Sequence, residues 1–198
     1  AQLQTRKRMN EGVPSFLLRP IVKGKGLSAL PKENKNHIFF DIEGKADPVT
    51  GEKLEYLFGL SLESTGTNKS AYIDYWAHSQ QEEKELIKKF IDFCLNHFEK
   101  FPDAQILFYG DYERQSLIRL TEKHGLYEAV IDKWLKEGRL VNLFSITRSA
   151  LILGEEKLGL KSIEKLWGGG RKADVANALD SVVAYRKWEI SGEGNTHE

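Results

Sequence analysis

The chain has 198 residues, of which 40% are hydrophobic and 11% aromatic. This is enough to bury one substantial core, and we expect one main domain. Its one cysteine, Cys94, excludes an intrachain disulfide and a thiolate zinc cluster, and it favours a reducing, cytoplasmic location. No apolar stretch approaches the roughly 20 residues that span a bilayer, so we expect no membrane partner.

The formal net charge is zero, but the charge is unevenly distributed. Residues 1–35 carry eight Lys or Arg against two Glu, a net of +6, which leaves the remainder at −6. We interpret residues 1–35 as a basic N-terminal arm or interdomain connection, and residues 36–198 as the main domain. A solvated linker and an arm that reaches toward a phosphate backbone both fit this charge pattern.

Hydrophobic periodicity predicts a mixed α/β fold. Turn residues separate the first three predicted strands, which indicates an antiparallel meander. A capped amphipathic helix that begins at Ser79 separates the third strand from the fourth, which favours a parallel crossover. From Asp111 onward the pattern is helical nearly to the end. The predicted strands are 37–43, 55–62, 69–76 and 104–109.

The first predicted strand carries two acids into an otherwise apolar run. Alternate residues on a strand share a face, so Asp41 and Glu43 point the same way, while Ile38, Phe40 and Ile42 point toward the core. Two like charges at the end of a largely buried strand need a cation, a proton or open water. A divalent metal ion is one answer.

The order of elements is that of the ribonuclease H-like fold, and three segments resemble motifs of the DEDD exonucleases. Phe40-Asp41-Ile42-Glu43 resembles the first motif, and the segment 109–117 (YGDYERQSL) resembles the second. The segment 158–166 (LGLKSIEKL) is similar to the stretch that leads into the third. The second motif carries Tyr112-Glu113 where the wider group has Phe-Asp, and further similar segments are 27–31, 56–59, 140–143 with Arg148, and 184–188. Over nearly the whole chain these residues more closely resemble the ribonuclease H-like domain of RecB-type nuclease proteins, which implies neighbouring nuclease and helicase domains in the same parent chain.

The resemblance implies metal-dependent cleavage of phosphodiester bonds. Asp41 would bridge two Mg²⁺ or Mn²⁺ ions, Glu43 would hold the ion that prepares the water, and Glu113 would supply a third carboxylate. Glu113 also fits an acid that the dipole of a helix start favours, and Asp111, the nearest rival, fits an N-cap better. The residues expected to contact nucleic acid are Tyr112, Arg148 and Lys161. For Lys161, a solvated helix face is the competing interpretation.

Two departures from the family pattern leave the activity open. No acid matches the fourth carboxylate with its preceding Tyr or His, since neither Asp174 nor Asp180 has the right spacing. Either the helix that supplies this acid lies beyond Glu198, which is the alternative we expect, or this copy of the domain lacks the acid. Asn142 stands where related domains often carry Asp.

Two hypotheses therefore remain. The first is a metal-dependent nuclease, a 3′-to-5′ exonuclease that acts on single-stranded DNA or RNA. The second is a catalytically inactive ribonuclease H-like module that binds nucleic acid or organises its neighbouring domains. Fold analogy alone does not choose between them.

Overall fold

The computed structural model describes residues 1–13, 15–47, 49–63, 70–154, 158–167 and 178–191. Its elements alternate between strands and helices, with two short 3₁₀ helices at Gly26–Ala29 and Lys165–Trp167. In chain order they are α1 (Gln2–Asn10), β1 (Phe16–Leu18), β2 (Ile38–Ala46), β3 (Lys53–Glu63), β4 (Ser70–Trp76), α2 (Gln80–Lys100), β5 (Ile106–Phe108), α3 (Tyr112–His124), α4 (Glu128–Lys136), β6 (Leu140–Asn142), α5 (Leu143–Ala150), β7 (Leu151–Leu153), α6 (Leu160–Glu164) and α7 (Ala178–Ser191).

The main sheet has five strands in the order β4-β3-β2-β5-β6. Strands β2, β3 and β4 form an antiparallel meander, whereas β5 is parallel to both β2 and β6. The predicted mixed sheet flanked by helices is therefore confirmed. Strand β2, which carries the paired acids, is the central strand.

The core lies between the sheet and α2. Ile38, Phe40 and Ile42 are buried, and the ring of Phe40 stacks on that of Phe90 from α2, with 4.5 Å between their centroids. The predicted helix start is confirmed, because Ser79 is the N-cap of α2 and its hydroxyl accepts a hydrogen bond from the Glu82 backbone N–H at 3.2 Å. This packing fixes which face of β2 the acids occupy.

The region after Asp111 is less helical than the sequence predicts. It contains β6, which extends the main sheet, and β7, which pairs with β1. Each of these strands has three residues, too few for a period of two to be distinguished from a helical pattern. None of the described helices is both long enough and apolar enough to cross a membrane.

Part of the basic N-terminal segment packs against the domain. Strand β1 pairs antiparallel with β7, with Phe16 opposite Leu153. The Arg6 guanidinium donates a hydrogen bond to the carbonyl oxygen of Gly154 at 3.0 Å, and Thr5 is buried. These contacts attach Thr5, Arg6 and β1 to the body of the domain. Its interpretation as an interdomain connection stays a prediction.

Candidate active site

Strand β2 presents Asp41 and Glu43 away from the apolar core. Burial alternates along the strand, with Ile38, Phe40 and Ile42 buried and Asp41 exposed. Glu43 is partly buried, and the register with β3 shifts between Glu43 and the residue that follows it. The negative charges of both carboxylates contribute to a raised pKa of the same tyrosine hydroxyl, that of Tyr72 on β4. The two acids therefore face one region, as the alternation predicts.

Helix α3 brings Glu113 to Asp41. Strand β5 ends at Phe108, and Gly110 follows with a φ of +141°, a conformation that favours glycine and that turns the chain into α3. Asp111 occupies the N-cap position, as predicted, but its side chain caps no N–H of the helix. It accepts a hydrogen bond from the side-chain amide of Asn142 at 2.9 Å instead.

The Asn142 side chain ties β5, α3 and α5 together. Its oxygen accepts hydrogen bonds from the backbone N–H of Phe144 at 2.9 Å and of Gly110 at 3.3 Å, so it caps α5 and holds the turn before α3. Its amide group reaches Asp111 on the other side. A neutral amide can make all of these bonds, whereas an ionised aspartate lacks the donor that Asp111 accepts.

Glu113 is a buried carboxyl group without compensation. The residue is 5% exposed, and among the described residues its Oε2 atom has no hydrogen-bond partner. Burial raises the pKa of Glu113 to about 7, against an opposing backbone hydrogen bond. The neighbouring carboxylates of Asp41 and Asp111 contribute to the increase, and Asp41 lies within hydrogen-bond range. Glu113 is thus poised to hold a proton or to bind a cation.

The donor atoms suit a hard divalent cation, because they are carboxylate oxygens. Asp41 and Glu113 come together, and Glu43 lies further along the same face of β2. Within the described ranges, however, no group of three or more His, Cys, Asp or Glu is placed to hold a metal ion. The two residues Asp41 and Glu113 are therefore the part of the predicted triad that the structure brings together.

A second, buried group of charges lies beside this site, and sequence reasoning missed it. Glu55 on β3 is fully buried, and it accepts hydrogen bonds from the Tyr112 hydroxyl at 2.7 Å and the Ser116 hydroxyl at 3.1 Å. Arg119 forms an ion pair with the same carboxylate. The signal was an acid inside an otherwise apolar strand, but its partners lie about one and two helical turns apart on α3, a distant segment.

The approach of Glu55 to Tyr112 depends on Gly44. A Cβ atom at Gly44 would lie 1.9 Å from Oε2 of Glu55 and 2.6 Å from the Tyr112 hydroxyl. Only a residue without a side chain leaves room for this contact. Because Tyr112 directly precedes Glu113, the Glu55 carboxylate fixes the start of α3 beside the acid pair.

The three residues expected to contact nucleic acid lie on three different helices, α3, α5 and α6. Tyr112 is 41% exposed, but its hydroxyl is engaged by Glu55, and burial is the largest cause that raises the pKa of the phenol. Arg148 on α5 and Lys161 on α6 are exposed, and neither forms a hydrogen bond or ion pair with another described residue. Nucleic-acid contact by these three residues stays a prediction.

The segment that resembles the third motif is attached to the end of β5. The Tyr109 hydroxyl donates a hydrogen bond to the carbonyl oxygen of Leu158 at 2.7 Å, and α6 follows directly. Asp174 and the segment 168–172 lie outside the described residues, as does the side chain of Asp180.

Comparison with known proteins identifies the family of this chain. Searches of the curated proteins and of the solved structures give no match to this chain. The family model of the RNase H superfamily matches residues 38–198, which begin at the first residue of the central strand. The matched region covers most of the sequence, so the chain belongs to the RNase H superfamily.

Proposed function

We propose that this domain is a metal-dependent nuclease, a 3′-to-5′ exonuclease that cleaves single-stranded DNA or RNA with Mg²⁺ or Mn²⁺. The observation that supports the proposal is the buried, unpartnered Oε2 atom of Glu113 beside the Asp41 carboxylate. A fold does not leave a carboxyl group in this state at no cost. Perturbed acids of this kind concentrate at functional sites.

In this mechanism the chain positions oxygen ligands. Asp41, exposed on the central strand, would hold the cations together with Glu43 and Glu113. Bound in this way, the cations would activate a water molecule and stabilise the leaving oxygen of the phosphodiester. Glu113 must give up its proton to become a ligand, so cation affinity should increase as the pH rises through about 7.

The wider setting of the domain belongs to the same proposal. We place it in the cytoplasm, within a chain that also carries RecB-like nuclease and helicase modules. Residues 1–35 would connect the domain to its neighbour, and residues 36–198 would form the nuclease unit.

Cation binding is the first test. We expect calorimetric titration with Mn²⁺ to detect binding to the wild type, and we expect Asp41→Asn and Glu113→Gln to remove it. Glu122→Gln is the matched control, because Glu122 is an exposed acid on the same helix as Glu113. Equal binding by all four proteins would contradict the assignment of Asp41 and Glu113.

Cleavage is the second test, on single-stranded DNA and RNA labelled at the 5′ end. A 3′-to-5′ exonuclease converts such a substrate into a descending ladder, whereas the opposite polarity releases the labelled nucleotide at once. We expect the ladder with Mn²⁺ and its loss in Asp41→Asn. Immediate release of the label would overturn the proposed polarity.

A second candidate function is a catalytically inactive module that binds nucleic acid or organises neighbouring domains. Among the described residues no group of three ligands is placed to hold a metal ion, which favours this candidate. Asn142 adds to it, because it is a neutral amide where the family resemblance implies an Asp. Retained binding of single-stranded oligonucleotides, with neither Mn²⁺ binding nor cleavage, would support this candidate over the nuclease.

A further inference from the structure

Two aromatic side chains are exposed on the face of the sheet that carries Asp41. Phe39 on β2 is 50% exposed and Tyr72 on β4 is 65% exposed. On β2 and the neighbouring strand β3, most large apolar side chains are buried, including Phe40, Phe58 and Leu60. Large exposed rings that share a surface with a candidate active site call for a functional explanation.

The strand register fixes where these rings lie relative to the acids. Phe39 is opposite Ser61, which is opposite Tyr72, so the two aromatic residues belong to one row across three strands. The adjacent row contains Asp41, Gly59 and Asp74. Directly opposed residues point to the same face, and rows two residues apart are separated by about 7 Å. The aromatic row is therefore one step along the sheet from Asp41.

Gly59 allows Tyr72 to lean toward the acids. A Cβ atom at Gly59 would lie 2.6 Å from the Tyr72 hydroxyl and 3.3 Å from the ring carbon that bears it. The hydroxyl end of the ring thus lies over Gly59, in the row of Asp41 and Asp74. Burial and the carboxylates of Asp74, Asp41 and Glu43 raise the pKa of Tyr72, which agrees with this placement.

The charge of this surface indicates what the rings can bind. Three carboxylates surround the Tyr72 hydroxyl, so a phosphate group would be repelled there unless a cation were bound. The uncharged face of a nucleobase meets no such repulsion, and stacking of bases on aromatic side chains is a recurring contact in proteins that hold single strands. A paired duplex does not offer its base faces in this way.

We propose that Phe39 and Tyr72 form a stacking site for an unpaired nucleobase of a single-stranded nucleic acid. The site would hold the strand so that an adjoining phosphodiester reaches Asp41 and Glu113, and in this respect it rests on the proposed function. It deepens that function, because it assigns recognition of the single strand at this site to a base rather than to phosphates. Gly59 is its positioning residue.

The test compares two short oligonucleotides of equal length, one of thymidines and one of abasic nucleotides, which carry the same phosphates. Fluorescence anisotropy with Ca²⁺ in place of Mg²⁺ or Mn²⁺ keeps a cation beside the carboxylates and measures binding under conditions that disfavour cleavage, because Ca²⁺ takes a looser coordination geometry. We expect the wild type to prefer the thymidine strand, and Phe39→Leu/Tyr72→Leu to lose that preference by about 5- to 100-fold, since stacking contributes roughly 1–3 kcal/mol per base. Phe16→Leu is the control, because Phe16 is 46% exposed on β1, outside the main sheet.

Gly59→Ala provides a second variant that keeps both rings. Its new methyl group would displace the Tyr72 hydroxyl, so we expect a smaller loss of the thymidine preference than in the double variant. Equal affinity of the wild type for the two strands, or an unchanged preference in the double variant, would overturn the stacking site.

These outcomes are distinguishable from failure of the proposed function. A protein that prefers thymidine strands and never cleaves them keeps the stacking site and contradicts the nuclease. A protein that cleaves single strands with full efficiency after Phe39→Leu/Tyr72→Leu keeps the nuclease and contradicts the stacking site.

Discussion

Glu55 and Glu113 are two buried glutamates at the contact between the sheet and α3, and the fold treats them in opposite ways. Glu55 is fully buried, and an arginine and two hydroxyl groups satisfy its carboxylate. Glu113 is nearly as buried, yet its Oε2 atom has no partner among the described residues, and a second acid adjoins it. Both acids depend on the same helix for their surroundings.

Glu83 on α2 extends the compensated group. Its Oε1 atom accepts a hydrogen bond from the Glu55 backbone N–H at 2.8 Å. Its Oε2 atom lies 2.5 Å from Nζ of Lys123 and 3.0 Å from Nε2 of His124. The chain thus supplies cations where buried acids join α2, α3 and the sheet. Among the described residues no such cation pairs with Glu113, so its carboxyl group is left to hold a proton or to bind a cation.

The largest effect should follow from removal of the Glu55 cation. We expect Arg119→Met to lower the free energy of unfolding by about 3 kcal/mol, because it leaves a fully buried carboxylate without its counter-charge. Urea unfolding measures this difference. Arg114→Met, on the exposed side of the same helix, should change it by less than about 0.5 kcal/mol. Equal effects of the two changes would show that Glu55 is not specially compensated.

Gly44→Ala, a change on β2, tests the same buried contact between Glu55 and α3. The new methyl group would overlap the Glu55 carboxylate and the Tyr112 hydroxyl, and we expect a loss of about 2 kcal/mol in the free energy of unfolding. Gly159→Ala is the control, since Gly159 has a φ of −68° and no atom within 4 Å of an added Cβ. Comparable stability of both variants would contradict the tight approach at Gly44.

Hydrophobic alternation in the sequence predicted part of this architecture. It indicated the central strand from His37 and the shared face of Asp41 and Glu43, and the Ser79 and Glu82 pair indicated the start of α2. It did not indicate β6 or β7, which are too short to show a period. The compensation of Glu55 was hidden for another reason: Tyr112 and Arg119 are 57 and 64 residues away in the sequence, so only tertiary packing brings them together.

The uncompensated acid should make stability depend on pH. The pKa of Glu113 is about 7 in the folded chain and lower in the unfolded chain, so the folded state holds an extra proton between these values. Stability is therefore lost as the pH rises toward 7, and it stays low above that. We expect Glu113→Gln to stabilise the domain at pH 8 by about 1–2 kcal/mol after allowance for solvent screening, and to have little effect at pH 4.

The matched control for this pH dependence is again Glu122→Gln, which should leave the profile of the wild type unchanged. Addition of Mn²⁺ at pH 8 should raise the stability of the wild type and not that of Glu113→Gln, because only the ionised carboxylate binds the cation. If the free energy of unfolding of the wild type is constant between pH 5 and pH 8, Glu113 is not an uncompensated acid and does not differ from Glu55 in this respect.

The smallest effect concerns the Asn142 amide, which donates a hydrogen bond to Asp111 at the turn before α3. In Asn142→Asp the side-chain oxygen still caps α5, but the donor to Asp111 is replaced by a second negative charge. We expect a loss of about 0.5–1 kcal/mol in the free energy of unfolding without metal, in the range of one hydrogen bond. The added carboxylate also lies close to Asp111, which already acts on Glu113, so Mn²⁺ should recover the loss and bind more tightly than in the wild type. Asn142→Ser is the control, because it keeps an oxygen cap for α5 but adds no charge, and so separates the lost hydrogen bond from the added carboxylate. If Asn142→Asp binds Mn²⁺ no more tightly than Asn142→Ser does, residue 142 acts on the turn alone and not on the cation.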